Sequence, residues 1–174
     1  MASELIVLAL VDLLKNLRAQ IAALEVRIKE ALLAHADGPI FQSLPRAGTV
    51  RAATLLTEIG DCRARFPDPA ALAAAAGVAP STRQSGKHLN VAYRRGCNKQ
   101  LRHALIHWAQ DTPRANAWAE DTYRRARDRG CRHPHAARIL AQAWTRVLWR
   151  CWHDRVPYNP DLHGGLHNLV QEAA

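Results

Sequence analysis

Eight apolar residues at alternating spacings of three and four constrain this 174-residue chain more than any other feature: Val7, Leu10, Leu14, Leu17, Ile21, Leu24, Ile28 and Ala31. Such a stripe, held through four heptads, predicts one helix over residues 5–34 with a seam that must be covered. Lys15, Asn16, Arg18, Gln20, Glu25, Arg27, Lys29 and Glu30 fill much of its outer surface. The helix is expected to stop at "HADGP", where Gly38 and Pro39 break it. Residues 1–37 are thus expected to form a coiled-coil dimerisation helix, giving a homodimer or higher oligomer. Packing of the helix on its own domain is the competing arrangement, and the pattern does not choose between parallel and antiparallel strands.

The remainder predicts a mostly α fold: a compact helical domain over residues 38–155 and a tail over 156–174. Alanine supplies much of the apolar content and aromatics only 6%, a mix that favours helices over strands. "FQSLPRAGTVRAATLLTEIGD" (41–61) has the outline of a helix-hairpin-helix element, with Val50, Ala53, Leu56 and Ile59 on one helix face. Its hairpin reads Pro45-Arg46-Ala47-Gly48, where Pro-Gly-x-Gly would be the regular form; an ordinary αα turn fits equally. Asp68, Pro69 and Gly77 bracket a short helix. Further helices are expected from Asn98 to Gln110, from a Thr112-Pro113 cap to Gly130, and from His133-Pro134 to about His153. In the last, Ile139, Ala143, Trp144, Val147 and Leu148 are expected inward.

Charge singles out one stretch. The net charge is +9, and 20 of the 24 basic residues are Arg, whose guanidinium forks onto phosphate. Between Asp68 and Asp111 there is no acidic residue at all. Within that gap "PSTRQSGKHLNVAYRRGCNKQLR" carries Arg83, Lys87, Arg94, Arg95, Lys99 and Arg102 around the pair Ser85-Gly86. With Arg46 at the edge, these residues are candidates for a nucleic-acid-binding patch, and Gly86 would let a backbone approach the strand closely. "KHLNVAY" alternates and predicts an extended arm or small hairpin.

Other chemistries fit poorly. Four cysteines without framework spacing suit a reducing, cytoplasmic setting. The apolar "ELIVLALVDLL" is too short for a membrane span and carries Glu4 and Asp12. The pairs Cys131/His133, Cys151/His153, His103/His107 and His163/His167 match no metal-ligand spacing, so no metal site and no cofactor are expected in this chain. The acids are too dispersed for a two-metal nuclease centre. There is no Gly-x-Ser-x-Gly elbow. From spacing alone, Ser85-Gly86 is either a turn at the rim of a DNA-binding surface or the seat of a hydroxyl nucleophile, with Ser81 a competing hydroxyl.

The ordered run "LLTEIGD", Arg65-Phe66, "AAAAGVAP", "QSG" and "RRGCNKQLRHAL" resembles the C-terminal transposase domain of the insertion-sequence 110/116/902 family over about residues 41–153. The resemblance implies DNA strand cleavage and joining by paired subunits, guided in several members by a bridge RNA. It implies that the serine of the "SG" motif, here Ser85, is the nucleophile, working beside a RuvC-like domain with a DEDD metal set. That domain has no counterpart in these 174 residues, so the chain is expected to be a piece of the full arrangement and inactive alone. The divalent metal is expected in the RuvC-like domain. The alternative is a non-catalytic module for nucleic-acid binding and dimerisation; a coiled-coil adaptor is a third class.

Overall fold

Asparagine and aspartate caps set the starts of three central helices. The Asp68 carboxylate accepts the Ala71 N–H at 2.7 Å, Asn98 Oδ1 accepts from Gln100 and Leu101, and Asn116 Oδ1 accepts from Ala119. The computed structural model describes residues 2–85 and 88–172. The fold is mostly α. The long α1 (Ala2–Ala34) is followed by α2 (Gly38–Gln42), α3 (Gly48–Ile59) and α4 (Pro69–Ala75). A hairpin, β1 (Pro80–Ser85) and β2 (His88–Tyr93), precedes α5 (Lys99–Asp111), α6 (Ala117–Asp128), α7 (His133–Asp154) and α8 (Gly164–Glu172). Among the described residues no helix is long and apolar enough to cross a membrane.

Three expectations are corrected. Gly38 and Pro39 do not end α1, which stops at Ala34; they open α2, since proline is well suited to a first helical turn. The buried face of α3 is Ala52, Leu55, Leu56 and Ile59, while Val50 is exposed and Ala53 only half-buried. The expected stripe was rotated because α3 packs on α1, α2 and α5, and neighbours on several sides widen the buried arc. Thr112-Pro113 forms a 3-10 turn (Thr112–Arg114), and α6 begins later, on the Asn116 cap. The Thr112 hydroxyl is instead buried, donating to the Ala109 carbonyl and accepting from Trp144 Nε1 at 2.7 Å.

The core gathers the apolar faces of α2 to α7 around Trp108, Trp144 and Trp152, all fully buried. On α7, Trp144 and Leu148 point in as expected, whereas Ile139, Ala143 and Val147 are half-buried. Indole N–H groups tie loops to this centre: Trp108 donates to the Pro45 carbonyl and Trp149 to that of Phe66, each at 2.8 Å. The tail folds back. Tyr158 is buried, its N–H donates to Ser43 Oγ, and its hydroxyl accepts from Asn116 Nδ2 at 2.9 Å. Beyond it, α8 packs on α6.

Candidate nucleic-acid interface

The basic stretch is built as a hairpin clamped at its base. Gly77 ends α4 with φ +65°, and the Val78 and Ala79 N–H groups both donate to the Ala73 carbonyl, which aims the chain into β1. The antiparallel register runs from Pro80 opposite Tyr93 to Ser85 opposite His88. Ser85 therefore closes the ladder at the turn, with His88 as its backbone partner. Arg83 lies on β1 opposite Asn90. Gly86 and Lys87 lie outside the described residues.

Past β2 the chain presents Arg94 and Arg95, both exposed, and returns at Asn98, whose N–H donates to the Ala75 carbonyl at 2.8 Å. Asn98 works at two levels. Its side-chain oxygen caps α5, and its amide nitrogen donates to Glu58 Oε2 at 2.6 Å. The tertiary fold thus brings a carboxylate from α3 to the base of a stretch that lacks acids in sequence. Lys99, on the first turn of α5, is exposed.

Arg102 sits differently from the other predicted cations. It is half-buried, and its guanidinium donates to the Arg94 carbonyl and contacts Cys97 Sγ. Gly77 makes this packing possible, because a Cβ there would stand 2.5 Å from the Arg102 guanidinium and 2.8 Å from Cys97 Sγ. Arg102 thereby braces the strand-to-helix corner from which Arg94 and Arg95 project.

Arg46 joins the site through α3. It occupies the turn before that helix in the left-handed region, φ +59°, and is exposed; its carbonyl accepts from Arg51. Gly48, φ +63°, opens α3. A groove of about 640 Å³ connects this turn to α5, lined by Arg46, Gly48, Thr49, Gln100, His103 and His107. His103 and His107 lie one helical turn apart, ring centroids 4.1 Å apart and planes tilted by 46°. Their spacing was visible in the sequence; their place on the wall opposite Arg46 was not. Arg51 is partly neutralised by Asp111 at 2.8 Å, leaving Arg46 as the groove's exposed arginine.

The other histidine and cysteine pairs do structural work. His133 bonds the Tyr123 hydroxyl at 2.7 Å, and His153 stacks on Trp149. Burial pushes the Cys151 thiol above its ordinary pKa, which favours the protonated form over the thiolate. His35, Asp37 and Asp61 do come together, but as a joint: His35 Nδ1 accepts the Asp37 N–H, His35 Nε2 meets Asp61 at 3.1 Å, and Arg63 holds the Asp37 carboxylate at 2.6 Å.

Comparison with known proteins matches residues 38–124 to the family described as "Transposase IS116/IS110/IS902 family". The chain is 38% identical over 168 residues to the "Mini-circle putative transposase for IS117" of Streptomyces coelicolor, covering 95% of this chain and 40% of that protein. It is 34% identical over 164 residues to the insertion element IS110 uncharacterized 43.6 kDa protein of the same organism, covering 94% of this chain and 40% of the relative. It is 30% identical to the insertion element IS900 uncharacterized 42 kDa protein of Mycobacterium paratuberculosis, covering 83% of this chain and 36% of the relative. The chain therefore spans about two fifths of the length of these relatives. The family match takes in the groove turn, the whole hairpin and α5, and on it the chain belongs to the IS116/IS110/IS902 transposase family.

Proposed function

We propose that this chain is the DNA-binding, serine-bearing half of a transposase or recombinase, working with a RuvC-like DEDD domain carried outside these residues. The observation that carries the reading is the hairpin itself. It puts Ser85 at the end of a two-stranded arm, with Arg94, Arg95 and Lys99 exposed at its base and Arg46 across an adjoining groove. Phosphodiester chemistry needs those parts: cations to neutralise the equatorial oxygens and a hydroxyl held in line with phosphorus. Arg83, Gly86 and Lys87 belong to the same basic stretch of sequence, and Arg102 supports the corner at its base.

In this reading the Ser85 hydroxyl attacks a backbone phosphorus, forming an O–P bond as one strand oxygen leaves. A serine hydroxyl is a weak nucleophile at neutral pH. The metal-bearing RuvC-like domain supplies the activation that this chain does not, and the chain alone binds DNA without cutting it. Residues 1–37 join two copies, the helical domain of 38–155 carries the chemistry, and the tail of 156–174 buttresses the core. A guide RNA would share the same cationic surface. The described free cysteines suit a cytoplasmic location.

The test has two arms. Affinity for duplex DNA should fall with salt at a log–log slope of about −0.9 per phosphate contact, and neutralising Arg94 and Arg95 should flatten that slope. With the RuvC-like domain supplied, a denaturation-resistant protein–DNA adduct should map to Ser85. Ser85→Ala should abolish the adduct while retaining binding, and Ser81→Ala should leave it intact. Binding without any adduct, with Ser85→Ala indistinguishable from the parent in strand exchange, moves the chain to the non-catalytic binding module.

A further inference from the structure

The apolar character of α1 changes along its length. With Val7 at heptad position a, Leu14, Ile21 and Ile28 repeat it, and Leu10, Leu17, Leu24 and Ala31 take d. Between residues 5 and 14 apolar side chains also take most outer positions, Asp12 at f excepted: Leu5 at f, Ile6 and Leu13 at g, Leu8 at b, Val11 at e. From residue 15 to 27 the e and g positions become Arg18, Gln20, Glu25 and Arg27. A two-stranded seam covers a and d and the edges of e and g, so it would leave Leu5 and Leu8 in water. A helix that is apolar all round needs walls on more than one side.

Such walls stand at the other end of the same helix. A groove of about 420 Å³ lies between α1 and α3, lined by Ile28, Ala31 and Leu32 on one side and Ala53, Leu56 and Thr57 on the other. Ile28 and Ala31 are the last a and d residues, so the seam runs into the groove without a break. A helix lying along the seam there touches α1 and α3 together.

We infer that α1 pairs antiparallel with α1 of a second copy, and that the apolar N-terminal segment of each enters the α1–α3 groove of the other. The inference deepens the pairing stated under Proposed function and rests on it. A parallel pair would instead bring to each groove the segment 28–34 of the second copy, with Lys29 and Glu30 on it and Leu32 already buried in its own core.

Charge selects the register. In an antiparallel pair the e positions flank one another across the seam. With Ile21 opposite Leu17 of the second copy, Arg18 would meet Arg18. With Ile21 opposite Ala31, Glu25 would meet Glu25. Only the register between these, with Ile21 opposite Leu24, sets Arg18 beside Glu25, and symmetry makes that contact twice. The same register brings Leu17 opposite Ile28 and Leu14 opposite Ala31, at the groove. A parallel in-register pair has no such ion pair: Arg18 falls beside Leu13 and Glu25 beside Gln20.

Three measurements on the full chain decide it. Sedimentation of the parent should give a dimer; a monomer overturns the pairing and, with it, the oligomeric part of the proposed function. In a Cys62→Ser background, mild oxidation of a mixture of Leu14→Cys and Ala31→Cys chains carrying different tags should yield mainly the mixed cross-link. Homotypic Ala31→Cys products from a dimeric parent overturn the orientation alone. Arg18→Glu and Glu25→Arg should each weaken the dimer about ten-fold, as two modest ion pairs become repulsions, and the double exchange should restore it. Failure of that rescue overturns the register.

Discussion

Leu24 and Leu32 lie two turns apart on the same helix, yet Leu24 is 57% exposed and Leu32 only 2%. The rest of the seam follows Leu24: Leu14, Leu17 and Ile21 are all about half exposed or more. The inward face of α7 follows Leu32, with Leu140, Trp144 and Leu148 fully buried. Composition does not separate these regions, since both are rich in residues that gain from leaving water. They differ in where the covering surface comes from. The core closes on helices of its own chain, whereas α1 carries its seam past the last helix that could cover it. Only at Ile28 to Leu32 do the two regimes meet, where α3 begins to wall the seam.

The comparison can be broken most forcefully in the core. Trp144 contacts the rings of Trp108, Trp118, Tyr158 and His163 and hydrogen-bonds Thr112. Trp144→Ala should cost about 3–5 kcal/mol in urea unfolding, from lost transfer energy and the cavity left behind. A loss under about 1 kcal/mol would mean that the two regions do not differ in internal closure.

Replacing Leu17 and Leu24 by Asp should have the opposite profile. Each side chain contributes roughly 1.5–3 kcal/mol where it is covered, so the double variant should sediment as a monomer. Because neither leucine touches the core cluster, the urea midpoint of that monomer should match the parent diluted to its monomeric state. An unchanged mass would show that the seam is not the pairing surface.

The smallest effect sharpens the boundary at the tail. His163 lies against Trp118 and Trp144, with Nδ1 3.3 Å from the Tyr158 hydroxyl, and burial pushes its imidazole below the ordinary histidine pKa. The unfolded chain then binds a proton that the folded chain resists. The contribution is fully present above the unfolded value of about 6.5 and is lost as pH falls through the depressed folded value. Tryptophan-monitored urea unfolding should therefore show lower stability at about pH 5.5 than at about pH 7.5, and His163→Gln should reduce that difference. Equal pH responses would place the tail outside the cooperative core.

Much of this architecture was legible because its signals are local. The heptads of α1, the Asp68 cap, the Asn98 start of α5 and the His133-Pro134 opening of α7 depend on neighbours a few residues away. The basic stretch was legible for the same reason: a run of 42 residues without an acid, from 69 to 110, is written in the chain itself. Helix faces were less so. Val50 and Ala53 match a helical period, but the face that is buried depends on which sides α1, α2 and α5 occupy. Thr112 has the chemistry of a cap, yet a buried indole claimed its hydroxyl.

By itself the sequence determined most element types, the apolar seam of α1 and the cationic, acid-free stretch, because spacing, capping and charge act over one or two turns. Only the tertiary structure decided that Arg102 braces the strand-to-helix corner through Cys97, that Gly77 must lack a side chain to admit it, and that Glu58 reaches Asn98. It alone set His103 and His107 across a groove from Arg46, and ended the seam in a cleft walled by α3. These contacts join residues up to about sixty positions apart, and a hydrogen bond or a packed wall forms only where the folded backbone carries both partners to within a few ångströms.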